Sequence, residues 1–323
     1  MCLGMATHVQ VGLKRSVFAN QLFLLLLLIA IMSGTATFFN PAFFTLQNWL
    51  NILNQNAVLG IVAAGATLVM ISGNFDISVG SLVGFSTTFA ASLVMGGGPV
   101  AVAVFWGFMM AVLGCTLNGV IVAKTKAPSF IITLATRSVY YGLSLVVTGG
   151  VTQSLGGKFA TLGRGTTLGI HNPIFFFLGV YVLLSWFLRY TRTGRRIYAV
   201  GGNEEAAFLS GVNTQRVKIL VYLMNGAFVG LAAMILLSRL GSALPSTGSG
   251  LELRAIAAVV IGGVPLTGGK GSALGTFLGV ILMGLISNVL NLLNISAYYQ
   301  EIAIGIIIAI AIIVSNLERM KRQ

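Results

Sequence analysis

The sequence predicts an all-α, polytopic membrane helix bundle of about ten transmembrane helices with Gly-interrupted segments and both termini cytoplasmic. Three observations lead there. Only 8% of the 323 residues are charged while 56% are hydrophobic, and the mean hydropathy is +0.95. So few charges cannot cover a water-soluble surface, which excludes a soluble enzyme and a disordered chain. Apolar runs recur at roughly the 20-residue length that crosses a hydrocarbon layer. The 19 Lys and Arg residues fall in short clusters between those runs, as expected for retention on the cytoplasmic side.

The runs lie at 20–39, 55–73, 77–96, 99–123, 129–148, 173–189, 217–238, 253–264, 272–293 and 298–315. The first follows Lys14 and Arg15 as the core of a signal peptide would, but it continues through Phe39 without a small-x-small cleavage site. It reads as an uncleaved span. The run at 253–264 is short for a span. With the N-terminus inside, Lys158, Arg164, Arg239 and Arg254 fall outside, Arg137 falls within a span, and every other Lys and Arg is inside. Moving one span scrambles that separation. A single transmembrane domain over 1–323 leaves no room for a nucleotide-hydrolysing unit, so energy is expected from an ion gradient or a separate polypeptide. The net charge of +13 is then an orientation signal, with no nucleic-acid partner expected. Cys2, Cys115, His8 and His171 are isolated, so neither a disulfide framework, a metal site nor a cofactor is expected.

Several short features interrupt the spans. The runs ISGNFDISVGSLVG (71–84) and IGGVPLTGGKGSALG (261–275) echo one another with a one-residue gap. Gly-interrupted segments in corresponding halves point to discontinuous helices at a substrate path; recurrence of Gly and Ser for helix packing is the alternative. Asn74, Asp76 and Ser78 stand in the first of these breaks. Asp76 reads either as a path or gate residue or as the N-cap of the helix that follows. Arg137, in FIITLATRSVYYG, must pair, line an aqueous path, or snorkel. The pairs Gly80/Gly84, Gly226/Gly230 and Gly275/Gly279 suit close helix packing. The segment GGVPLTGGKGS lacks the glycine six residues before Lys270 and the Ser or Thr after it that a phosphate loop needs. No nucleophile–base or paired-carboxylate arrangement appears, so catalytic residues are not expected.

The long polar stretch at 189–218 lies inside by the charge count. Within it, GGNEEAAFLSGVN (201–213) encodes a two-turn helix. Asn203 caps it, Glu204 and Glu205 favour its positive end, Ala206 and Ala207 propagate it, and Gly211 ends it in a left-handed conformation. Such a knob can dock in a groove of another protein; an undocked amphipathic loop helix is the alternative.

Glu205-Ala206-Ala207 followed by Gly211 resembles the EAA-type coupling loop of bacterial ABC importers. The wider stretch TGRRIYAVGGNEEAAFLSGVNTQRVK (193–218) resembles permeases of the ribose and related monosaccharide importers, the branched-chain amino acid/ribose-type family. The likeness extends through GNFDISVGS (73–81), NGVIVAKTKAPSFIITLATRSVYYGLSLVVTGG (118–150) and AIAAVVIGGVPLTGGKGSALGTFLGV (255–280). It implies a bacterial inner-membrane permease that pairs with a second permease, binds cytoplasmic ATP-binding subunits, and receives solute from a periplasmic solute-binding protein. Asn203 to Gly211 would dock the ATPase, while Asn74, Asp76 and Ser78 would lie by the translocation path. Arg137, the fourth candidate for that path, departs from the apolar residue expected of the family in that span. The expected function is import of a ribose-like pentose, a hexose or a related polyol-like solute by alternating access, with ATP hydrolysed on separate subunits. The alternative is a secondary transporter driven by protons or Na⁺, for which Asp76 and Glu301 are the only acids near enough to the spans.

Overall fold

The computed structural model describes residues 22–296 except 39 and 126, together with 298, 299, 302, 305, 306 and 309. Lys14, Arg15, Lys126 and the C-terminal bases lie outside the described residues, as do both termini and most of the expected span at 298–315.

Helices dominate. They are α1 (Leu22–Phe38), α2 (Leu46–Ile71), α3 (Val79–Met95), α4 (Val100–Thr125), α5 (Ser129–Thr148), α6 (Thr161–Arg164), α7 (Asn172–Tyr190), α8 (Arg192–Gly202), α9 (Glu204–Leu209), α10 (Thr214–Leu240), α11 (Leu251–Ile261) and α12 (Ala273–Leu292). Six of these, α2, α4, α5, α7, α10 and α12, are long and apolar enough to cross a membrane. Helices α1 and α3 are apolar but shorter, and α11 has only 11 residues. The all-helical membrane bundle expected from the sequence is present.

Local chemistry sets the boundaries. Thr45, Thr191, Asn213 and Ser272 each accept a backbone N–H in the first turn of the helix they precede, at 3.3, 2.9, 2.9 and 3.0 Å. Pro173 stands in the first turn of α7, where its missing N–H costs nothing. Helix α2 begins nine residues before its apolar run, because Thr45 caps a polar first turn that hydropathy alone does not register.

Helix α2 is the axis of the bundle. Buried residues make up 78% of its apolar window, against 17% for α5 at the periphery. Helices α10, α12, α11 and α7 surround α2, while α4 packs along α10 and α3 lies between α4 and α5. Gly226 and Gly230 bring α10 onto the backbone of α4 at Ala111, Val112 and Phe108, the packing role that small-xxx-small pairs suggest. Large apolar side chains such as Trp106, Leu113, Leu117, Val182 and Trp186 point outward, as a lipid solvent requires.

The two ends differ. One carries α8 and α9. The other carries two strand pairs, β1 (Gln153–Ser154) with β4 (Ser242–Ala243) and β2 (Thr166–Thr167) with β3 (Ile170–His171), both antiparallel. None of these strands, nor α6 and α8, is expected from the apolar runs, because the strands and α6 span only two to four residues and α8 carries three arginines.

Candidate functional site

Two helix breaks organise the interior. After α2 the chain turns at Gly73 (φ 78°), with Gly73 N–H donating to Met70 O and Asn74 N–H to Val69 O. After α11 it turns at Gly263 (φ 91°), with Gly263 N–H donating to Val260 O and Val264 N–H to Val259 O. Both are glycine-capped helix ends that satisfy the last carbonyls. The echo between 71–84 and 261–275 therefore reflects a shared way of ending a helix. It does not extend to Gly-Ser: Ser81 lies in the first turn of α3, whereas Ser272 is the N-cap of α12. The breaks touch, since Gly269 N–H donates to Ile71 O at 2.8 Å.

The unwound segment 74–78 is pinned along its length. Phe75 N–H donates to Ser129 Oγ at 2.9 Å, and Phe75 O accepts from Tyr222 OH at 2.7 Å. Ile77 N–H donates to Thr133 Oγ1 at 3.2 Å. Asp76 Oδ1 accepts from Ser78 N–H at 3.0 Å and from Ser78 Oγ at 2.6 Å. Its Oδ2 accepts from Asn225 Nδ2 at 3.0 Å and from Cys115 Sγ at 3.5 Å. Asn118 Nδ2 donates to Ser78 Oγ at 2.8 Å, and Tyr140 OH to Asn118 Oδ1 at 3.2 Å. Non-helical backbone at membrane depth is tolerated only where protein or water satisfies it. Here Ser129 and Thr133 of α5 and Tyr222 of α10 satisfy the backbone, while α4 and α10 bond the Asp76 and Ser78 side chains.

This corrects the N-cap reading of Asp76. Helix α3 starts at Val79 with Ser78 in the capping position and making no side-chain cap. Asp76 lies two residues earlier and bonds Ser78 N–H in an Asx-type turn. Its remaining oxygen faces α4 and α10, so its work is tertiary. Asn74 turns back, its Nδ2 donating to Ser72 O at 3.1 Å.

Arg137 is elsewhere. Its Nε lies 3.3 Å from Glu252 Oε1, with side chains 42% and 3% exposed. It pairs rather than snorkels. Glu252, in the first turn of α11, is missing from the sequence reading, which counted only Asp76 and Glu301 as acids near the spans; the structure corrects that count. Glu252 Oε2 is buried without a hydrogen-bond partner and packs on Gly80.

The polar loop forms two helices. Asn203 Oδ1 accepts from Ala206 N–H at 2.9 Å, Glu204 and Glu205 occupy the first turn of α9, and Gly211 follows it at φ 82°. The helix is six residues long, slightly under the two turns expected. Ala207 is buried beneath it, while Phe208 and Leu209 project at 65% and 78% exposure. Helix α8 anchors this knob: Tyr198 OH donates to Gly271 O at 2.8 Å, and Gly201 packs against Ile71 O and Gly269 N. Burial pushes the Tyr198 phenol up to about 12, which keeps it a donor.

Among the described residues no group of His, Cys, Asp and Glu could hold a metal. The arrangement orders a break in a membrane helix and presents a rigid knob at one end.

Residues 48–312 match the family described as branched-chain amino acid transport system/permease component. The chain belongs to that family. The ribose import permease protein RbsC of Escherichia coli is 42% identical over 303 residues, covering 92% of this chain and 93% of its own. The protein of the same name from Bacillus subtilis is 42% identical over 298 residues, 91% and 90%. The L-arabinose ABC transporter permease protein AraH of Azospirillum brasilense is 34% identical over 294 residues, 91% and 87%. No solved structure matches. The family makes the chain a transport permease, and its six long apolar helices make it a multi-pass membrane protein.

The sequence alone does not single out the residues that hold the 74–78 segment. They come in pairs at helical spacing inside apolar runs: Cys115 and Asn118 on α4, Ser129 and Thr133 on α5, Tyr222 and Asn225 on α10. Polar residues three or four apart share a helix face, and that spacing was the available signal.

Proposed function

We propose that the chain is the membrane-spanning subunit of an ATP-driven importer of a ribose-like pentose, a hexose or a related polyol-like solute, working by alternating access in the bacterial inner membrane. The observation that carries this reading is α9, a capped knob whose acidic first turn and exposed Phe208 and Leu209 suit a groove in a partner. Cytoplasmic ATP-binding subunits are that partner, and ATP hydrolysis belongs to them. The names of relatives, which mention ribose and L-arabinose, support the solute class.

In this reading the chain spans about ten times with both termini cytoplasmic, and the α8–α9 end faces the cytoplasm. A periplasmic solute-binding protein delivers solute at the opposite end. Arg137 supports a second permease copy or homologue: a cation in the middle of α5, 42% exposed, is costly against lipid and requires water or protein. An aqueous path between two permeases meets that requirement, with Arg137 on its wall and Asn74, Asp76 and Ser78 at the neighbouring break.

Reconstitution with the ATP-binding subunits and the binding protein tests the reading, using labelled D-ribose and L-arabinose as probes. Glu205→Lys is expected to abolish uptake and subunit association while the protein stays in the membrane. Unchanged association refutes the docking role. Uptake that persists without ATP and collapses with an uncoupler refutes the ATP-driven mechanism.

A further inference from the structure

Lys218 joins two features that the fold otherwise keeps apart. Its Nζ lies 2.7 Å from Glu204 Oε1, at the first residue of α9. It also lines a cleft of about 350 Å³ with Asn74, Phe75, Pro128, Ser129 and Phe130. The Lys218 side chain is 14% exposed against 49% for Glu204, so the carboxylate reaches in from the surface to an ammonium held largely within the protein.

Tyr222 and Asn225 stand four and seven residues further along α10, on the same helix face. Tyr222 OH holds Phe75 O at 2.7 Å, and Asn225 Nδ2 holds Asp76 Oδ2 at 3.0 Å. One face of a 27-residue helix therefore grips α9 near its start and the unwound 74–78 segment further along. Asn225 Oδ1, packed against Gly65, is buried without a hydrogen-bond partner. An unpaired buried carbonyl is costly, so a displacement that pairs it is favoured.

We propose that Lys218, Tyr222 and Asn225 are positioning residues of transport, forming the row through which displacement of α9 reaches the Asp76 segment. The proposal rests on α9 being the ATPase-docking helix. Pulling Glu204 moves Lys218 and with it α10; the bonds to Phe75 and Asp76 then draw the break along. The inner cleft, bounded by Lys218 on one side and Phe75 on the other, changes shape as a result.

The reporter is Phe130→Cys in a Cys2→Ser background; Phe130 lines the cleft and is half exposed, while Cys115 is buried. The complete complex in liposomes is labelled with a membrane-impermeant maleimide, without nucleotide and with ATP plus vanadate. The reporter protein is expected to change its labelling rate between the two states. Lys218→Glu and Glu204→Lys should each reduce that change about fivefold, the lower range of measured coupling between sites. The double exchange and Lys218→Arg should restore it. Tyr222→Phe keeps the ring against Gly119 but loses the Phe75 bond, and should reduce the change as Lys218→Glu does. A full nucleotide response in Lys218→Glu or Tyr222→Phe, with the ATP-binding subunits still bound, overturns this proposal alone. Failure of the reporter protein to retain those subunits overturns the docking reading with it.

Discussion

Arg137 Nε in the middle of α5 lies 3.3 Å from Glu252 Oε1 in the first turn of α11. A side chain of α5 thus reaches the half-length helix α11, which itself packs on α2 and α12. Removing one partner of a buried pair leaves a charge without compensation. Because Arg137 is partly exposed, Arg137→Leu is expected near the lower end of that range, about 3 kcal/mol. Replacing both residues by Leu should recover most of the loss. Thermal unfolding in detergent measures both; an unaltered midpoint for Arg137→Leu rules out a structural pair.

Asp76 is held differently, by four neutral donors and no ion pair with a described residue. Asp76→Asn turns an acceptor oxygen into a donor facing Asn225 or Ser78. At least one buried donor then goes unmet, at a cost of about 1–3 kcal/mol. Asn225→Ala removes one donor instead and should cost a similar amount. Both variants should lose sugar uptake while remaining in the membrane, checked by transport and by the unfolding midpoint. Wild-type uptake by Asp76→Asn refutes the need for an acceptor there.

Gly201 and Gly202 make a paired test of how tightly the α8–α9 loop is seated. A Cβ on Gly201 meets Ile71 O and Gly269 N, both backbone, whereas one on Gly202 meets nothing within 4 Å. Overpacking against backbone costs about 1–3 kcal/mol, so Gly201→Ala should destabilise and Gly202→Ala should stay within about 0.5 kcal/mol of the parent. Equal midpoints for the two variants exclude the close approach.

Tyr198 gives a pH-dependent readout. Its phenol is pushed up to about 12 by burial, above the unfolded value of about 10. A group with a raised native value contributes its full stability below the unfolded value and loses it as pH rises through the native one. Tyr198→Phe should cost about 1 kcal/mol at neutral pH by stripping Gly271 O of its donor. The difference between the two proteins should shrink between about pH 10 and pH 12. A gap that stays constant across that window is incompatible with a buried phenol.

Much of α9 was legible in the sequence. Asn203, Glu204, Glu205 and Gly211 act on their own helix ends, within a few residues, so their chemistry is local and the order of residues reveals it. Asp76 was legible as a polar residue at a break but not as what it is. Two of its four donors are on Ser78 and the other two on α4 and α10, and the helix it was expected to cap begins three residues later. Glu252 directly precedes the short apolar run at 253–264, and nothing in its neighbours signals that α11 buries it.

The sequence by itself determined a membrane solvent, helices as its building blocks, the places where they break and a capped knob in the long polar loop. Hydrophobicity and capping are properties of neighbouring residues, so they survive being read along a line. The tertiary structure alone decided that Arg137 meets Glu252, that Asn225 and Cys115 meet Asp76, that Gly269 meets Ile71 and that Lys218 meets Glu204. Each of these joins segments that only packing brings together. In a medium without water, a buried polar group must find its partner wherever another helix presents one.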